Sequence, residues 1–70
     1  MQIEISEPEL LCKLCDYLSR HGFIAVAASQ ERADVLIPDA GSEVAALLLL
    51  KARIRAWGRM HPEATVRIDH

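Results

Sequence analysis

Residues 23–37 read FIAVAASQERADVLI, two apolar runs at 23–28 and 33–37 parted by only four polar residues, Ser29, Gln30, Glu31 and Arg32. Each run has the length and apolar content of a buried or half-buried strand. A crossover between parallel strands takes about a dozen residues or more, whereas an antiparallel hairpin closes in about two to five. The shortness of the link therefore predicts that the two strands run in opposite directions.

Toward the N-terminus, Gly22 is placed to adopt the left-handed conformation that stops a helix, with His21 at the helix's negative end. Before it, Leu10, Leu11, Leu14, Tyr17 and Leu18 gather on one helical face, and Lys13, Asp16, Ser19 and Arg20 on the other. Ser6-Glu7-Pro8-Glu9 has the form of a capping box, with Pro8 suited to a first turn. Met1, Ile3 and Ile5 alternate with Gln2 and Glu4, the period of a strand with one buried face. Toward the C-terminus, Pro38 and Gly41 end the hairpin and Asp39 or Ser42 caps a second helix. Leu47, Leu50, Ile54 and Trp57 recur at helical spacing as far as Met60. His61-Pro62-Glu63 breaks that helix, and in residues 64–69 Ala64, Val66 and Ile68 alternate with Thr65, Arg67 and Asp69 as a last strand.

The element order is thus βαββαβ. With right-handed crossovers this α+β pattern resembles the ferredoxin-like, or split βαβ, sandwich: an antiparallel sheet in the order 4-1-3-2 with two helices on one face. Residues 1–70 are expected to form a single domain, similar in size and element order to small regulatory modules of the ACT type. A chain this short buries only about 60% of the surface it exposes when unfolded, so a partner subunit would help it. With 51% apolar and 26% charged residues it has the balance of a globular domain. The formal charge of -2 argues against a general nucleic-acid binder, but Lys51, Arg53, Arg55, Arg59 and Arg67 collect in the last third and leave a local basic face open. The longest apolar run, 44–50, is far shorter than the roughly 18 residues of a membrane span. With no signal peptide, the expectation is a cytoplasmic protein whose Cys12 and Cys15 are reduced.

A second likeness is local. The segment IEISEPELLCKLCDYLSRHGFIAV, Ile3 to Val26, resembles the opening of a response-regulator receiver domain, and ADVLIPDAG resembles the receiver strand that ends in the phosphorylated aspartate. The resemblance implies Asp39 as the acceptor. Ile5 and Ser6, with only Glu7 nearby, stand where a receiver holds its acidic Mg²⁺-binding pair, and the receiver's later lysine strand and its helix between strands two and three have no counterpart. Asp39 therefore reads as a turn or helix-cap residue.

Cys12 and Cys15 form a C-x-x-C. In a strand-to-helix loop, where copper-carrying domains of similar fold place such a pair, it would point to a thiol redox or soft-metal site. Here it falls in the second turn of a helix, with Cys15 beside the buried face and Cys12 toward solvent, so the thiols diverge and a structural or incidental role is expected. Lys51, Arg55 and Arg59 recur at i, i+4 and i+8 as a cationic stripe, with Val44 and Leu48 on about the same side. It is either a solvated face that favours the helix C-terminus or a site for phosphate or an acidic partner.

RNA recognition by a sheet of this order requires stacking aromatics on the central strands. The outward positions there are Gln2, Glu4, Asp34 and Leu36. Acylphosphatase-type chemistry would need an asparagine, and the chain has none. There is no phosphate loop, nucleophile elbow or metal-spaced histidine pair, so the chain is expected not to be an enzyme, no cofactor is implied, and no metal site is expected. His21 and His70 lie at element ends that could approach each other, without a third ligand.

The remaining surface is the sheet face away from the helices. If Ile24 and Val26 turn inward, Phe23, Ala25 and Ala27 turn outward on an uncharged edge strand beside Leu36, an apolar patch that a monomer would normally protect. The alternative is that Phe23 turns inward and only small alanines face out. The leading expectation is a non-enzymatic protein-interaction or regulatory module, a homo-oligomer or a partner of another protein, contacting through Phe23, Ala25, Ala27 and Leu36. The alternative function is anion or nucleic-acid binding by Lys51, Arg55 and Arg59, and the third is a thiol or metal site at Cys12 and Cys15.

Overall fold

In the computed structural model, which describes residues 1–69, the elements follow the order β1 (Gln2–Ile5), a 3-10 turn (Pro8–Leu10), α1 (Leu11–Arg20), β2 (Ile24–Ala27), β3 (Arg32–Leu36), α2 (Glu43–Met60) and β4 (Val66–Asp69). The short link closes as an antiparallel hairpin, with Ile24 opposite Leu36 and Val26 opposite Asp34. Ser29 folds the turn back on itself: its Oγ accepts from the amides of Arg32 at 3.2 Å and Glu31 at 3.4 Å, the local bonding that makes serine a turn residue.

The sheet is antiparallel throughout, in the order β2-β3-β1-β4, with β1 and β3 central. Read from the β4 edge, the same adjacency is 4-1-3-2. Ile3 and Ile5 of β1 and Ala33 and Val35 of β3 present one face, and on it Leu11, Leu14 and Leu18 of α1 and Leu50 and Trp57 of α2 complete a single buried cluster. Both helices therefore cover the same side of the sheet, an α+β arrangement compatible with a ferredoxin-like fold. The β2–β3 hairpin stands where a receiver domain has a helix, so the receiver likeness is confined to local sequence.

Two local expectations need correction. The capping box at Ser6 and Glu9 does not form: Ser6 Oγ accepts instead from the Thr65 amide at 2.8 Å, and the Ser6 amide donates to the Thr65 carbonyl at 2.9 Å. Ser6 thus clips the end of β1 to the approach of β4, and α1 starts only at Leu11, without a side-chain cap. At α2 the cap is Ser42, one of the two residues expected there, its Oγ accepting from the Ala45 amide at 3.1 Å, while Asp39 lies exposed in the preceding turn.

The second correction reverses the faces of β2. The amide of Phe23 donates to the carbonyl of Leu18 at 3.1 Å across Gly22, whose φ is +89°. A bond of that span over a left-handed glycine is the Schellman ending, which characteristically brings the residue after the glycine against the last turn of the helix. Phe23 accordingly enters the core beside Leu18 and is only 6% exposed. Side chains alternate along a strand, so Ala25 follows it inward and Ile24 and Val26 are turned outward.

Candidate functional site

The outer face of the sheet divides into two halves. On β1, β4 and the start of β3 the outward side chains are polar or charged and largely paired with one another, except Asp34, which stands exposed opposite Val26 where the two halves meet. Arg32 lies 3.4 Å from Glu4 and 3.6 Å from Asp69 and donates to Gln2 Oε1 at 3.2 Å, while Arg67 lies 3.6 Å from Glu4. On β2 and the end of β3 the face is apolar: Ile24 is 49% exposed, and Val26 and Leu36 are each 60% exposed. The Cα radius of gyration, 10.9 Å, matches the roughly 11 Å of a compact chain this long, so their exposure does not come from a loose fold.

Of the four predicted contacts, Leu36 lies on this patch. Phe23 is buried and Ala25 is partly buried, both facing the helices, because the Schellman ending sets their orientation. Ala27 shares their side of the sheet but is exposed, lying opposite Ala33 near the end of the strand. Sequence reasoning missed Ile24 and Val26. The signal that could have found them was the position of Phe23 directly after the helix-ending glycine, coupled to alternation along the strand.

The free edge of β2 is equally bare. The Ala28 amide donates to the Arg32 carbonyl at 2.8 Å. By antiparallel alternation the backbone groups of Val26 and Ile24 also point toward β3, leaving those of Ala25 and Ala27 at the open edge. No charged side chain interrupts residues 23–29. This edge lacks the usual deterrents to pairing.

The cationic stripe forms a second, separate surface. Lys51, Arg55 and Arg59 are all exposed, and among the described residues none lies within ion-pair distance of a carboxylate. Lys51 and Arg55 flank a groove between α2 and β4 whose floor is Ile54, Val66 and Ile68. Another recess, between the end of β3 and the start of α2, is lined by Leu36, Ile37, Ala46 and Leu47 with Glu43 at its rim. The aromatics are placed away from all of these: Phe23 and Trp57 are buried, and half-buried Tyr17 sits 4.6 Å from the His21 ring on α1.

Both cysteines are free, Cys12 exposed and Cys15 half-buried. Burial, and secondarily the neighbouring Cys12, push the Cys15 thiol above its ordinary pKa. That is opposite to the depressed thiol a redox or soft-metal site relies on. Iodoacetamide at neutral pH is therefore expected to modify Cys12 several-fold faster than Cys15. Mass spectrometry of tryptic peptides checks this, since Lys13 separates the two; equal rates would contradict it. No group of three or more His, Cys, Asp or Glu side chains converges among the described residues. The proposed approach of His21 to His70 lies outside them.

No protein family, curated protein or solved structure matches this chain. Among the described residues no helix is long and apolar enough to cross a membrane.

Proposed function

We propose that this chain is a small non-enzymatic interaction or regulatory module of ferredoxin-like fold that pairs with a second copy of itself through β2. The observation that carries this is the exposed apolar trio Ile24, Val26 and Leu36 beside an uncharged open strand edge. An antiparallel two-fold pairing centred on Ala25 sets Ile24 of one copy opposite Val26 of its partner, and Val26 opposite Ile24. Both cross-strand pairs are apolar and lie on the same outer face, which makes the edge self-complementary. Ala25 and Ala27, at the free edge, are small enough to let the two backbones approach.

The small size of the chain supports the reading, since a domain of this length gains from any additional burial.

A four-residue edge and a trio of side chains make a small interface, so the expected dimer dissociates in about the micromolar range. Sedimentation equilibrium across that range should show a monomer–dimer equilibrium, abolished by Val26→Lys, which places like charges on the interface without touching the core. A strict monomer at about 100 times that concentration, or a dimer indifferent to Val26→Lys, would remove the proposal.

A further inference from the structure

At the opposite edge of the sheet, α2 and β4 enclose a groove whose construction follows from their two periods. Lys51, Ile54 and Arg55 stand at i, i+3 and i+4, one face of the helix, and Val66 and Ile68 at i and i+2, one face of the strand. The three apolar side chains of the floor are only half-buried, although they adjoin the core. Lys51 and Arg55 rise from the helix side of the groove, and Arg59 continues their line one turn further. The chain as a whole is acidic, at a formal charge of -2, yet no carboxylate among the described residues neutralises these cations.

We propose that this groove binds an extended, acidic segment of another protein, its apolar side chains seated on Ile54, Val66 and Ile68 and its carboxylates facing Lys51 and Arg55. The spacing agrees. Lys51 and Arg55 are separated by about 6 Å of helix rise, and alternate residues of an extended chain repeat about every 6.8 Å. Successive carboxylates of an alternating acidic–apolar segment therefore meet successive cations while the intervening side chains turn to the floor. A nucleic-acid strand fits less well. Single-stranded nucleic acid is held by cations together with stacking aromatics, and the floor here is aliphatic.

The test is fluorescence anisotropy with a labelled peptide of alternating valine and glutamate, at low salt, accompanied by amide chemical-shift mapping. The comparison ligands are an alternating serine–glutamate peptide, an alternating valine–lysine peptide and an oligothymidylate. Only the valine–glutamate peptide should bind tightly, with shifts concentrated at Ile54, Val66 and Ile68. Lys51→Glu and Arg55→Glu together should weaken it by at least about tenfold, and Lys13→Glu, an exposed charge on α1, should leave it unchanged. Both reversed residues are exposed, so an unaltered far-UV circular dichroism spectrum is expected alongside the lost binding. Failure of the valine–glutamate peptide to bind overturns the proposal. So does equal binding of the serine–glutamate peptide or the oligothymidylate, which would mark a plain anion patch or a nucleic-acid site, or shifts confined to β2. Self-association at β2 is read separately by sedimentation, so either surface can fail without the other.

Discussion

Trp57→Ala is expected to remove about half of the stability of the fold. A domain of this length has roughly 4–10 kcal/mol of stability, and truncating a buried tryptophan costs about 3–5 kcal/mol. Trp57 is 1% exposed, and in α2 only Ala46 and Leu50 are buried besides it. It is therefore the large anchor of the C-terminal half of that helix. The ring of His61 stacks on it at 4.4 Å, so the end of α2 loses its cover as well. Urea denaturation followed by circular dichroism should show a midpoint roughly halved for Trp57→Ala and a much smaller loss for Trp57→Phe. A midpoint within error of wild type would mean that α2 is not held to the sheet by this residue.

The second large effect separates the two faces of β2. Phe23→Ala should cost about 3 kcal/mol or more, because it empties the space between Leu18 and the sheet, yet leave the proposed pairing edge intact in molecules that remain folded. Val26→Lys should do the reverse: an exposed substitution is expected to change monomer stability by no more than about 0.5 kcal/mol. On the proposed pairing the thermal midpoint of wild type should rise with protein concentration, through stabilisation by the second copy, and that of Val26→Lys should not. Denaturation of both variants by Trp57 fluorescence, over a range of concentrations, distinguishes them. If Phe23→Ala proved neutral and Val26→Lys unfolded the chain, the faces of the strand would be assigned the wrong way round.

Much of the architecture was legible because it depends on local quantities. The link at Ser29 to Arg32 is too short for a crossover, Gly22 and His61-Pro62 stop their helices, and the alternation of Ile3 with Ile5 and Val66 with Ile68 marks which side of each strand is covered. The strands expected to begin at Phe23 and Ala64 begin at Ile24 and Val66, because the amides of Phe23 and Ala64 bond back into the preceding turns, to the carbonyls of Leu18 and His61. The caps were less legible. Ser6 has the right neighbours for a capping box, but a partner 59 residues away, the Thr65 amide, takes its hydroxyl. No local pattern announces that competition.

The candidate site was half legible for the same reason. That β2 forms a bare edge followed from its lack of charge. Which side chains face outward did not, since Ile24, Val26, Phe23 and Ala25 are all apolar and either parity satisfies the pattern. Lys51 and Arg55 were visible as a helical stripe, but nothing in their own segment places Val66 and Ile68 beside them.

By itself, then, the sequence determined the order and type of the elements, the antiparallel hairpin and the absence of charge along residues 23–29, because chain length, periodicity and turn chemistry act within a few residues of where they are written. Only the tertiary structure decided which face of β2 meets the helices, where the Ser6 hydroxyl bonds, and that the cations of α2 border an aliphatic groove. The last two depend on contacts between segments distant along the chain, whereas the first is committed by one constraint, the inward packing of Phe23 against Leu18 at the end of α1, which shows itself only once the helix ending is folded.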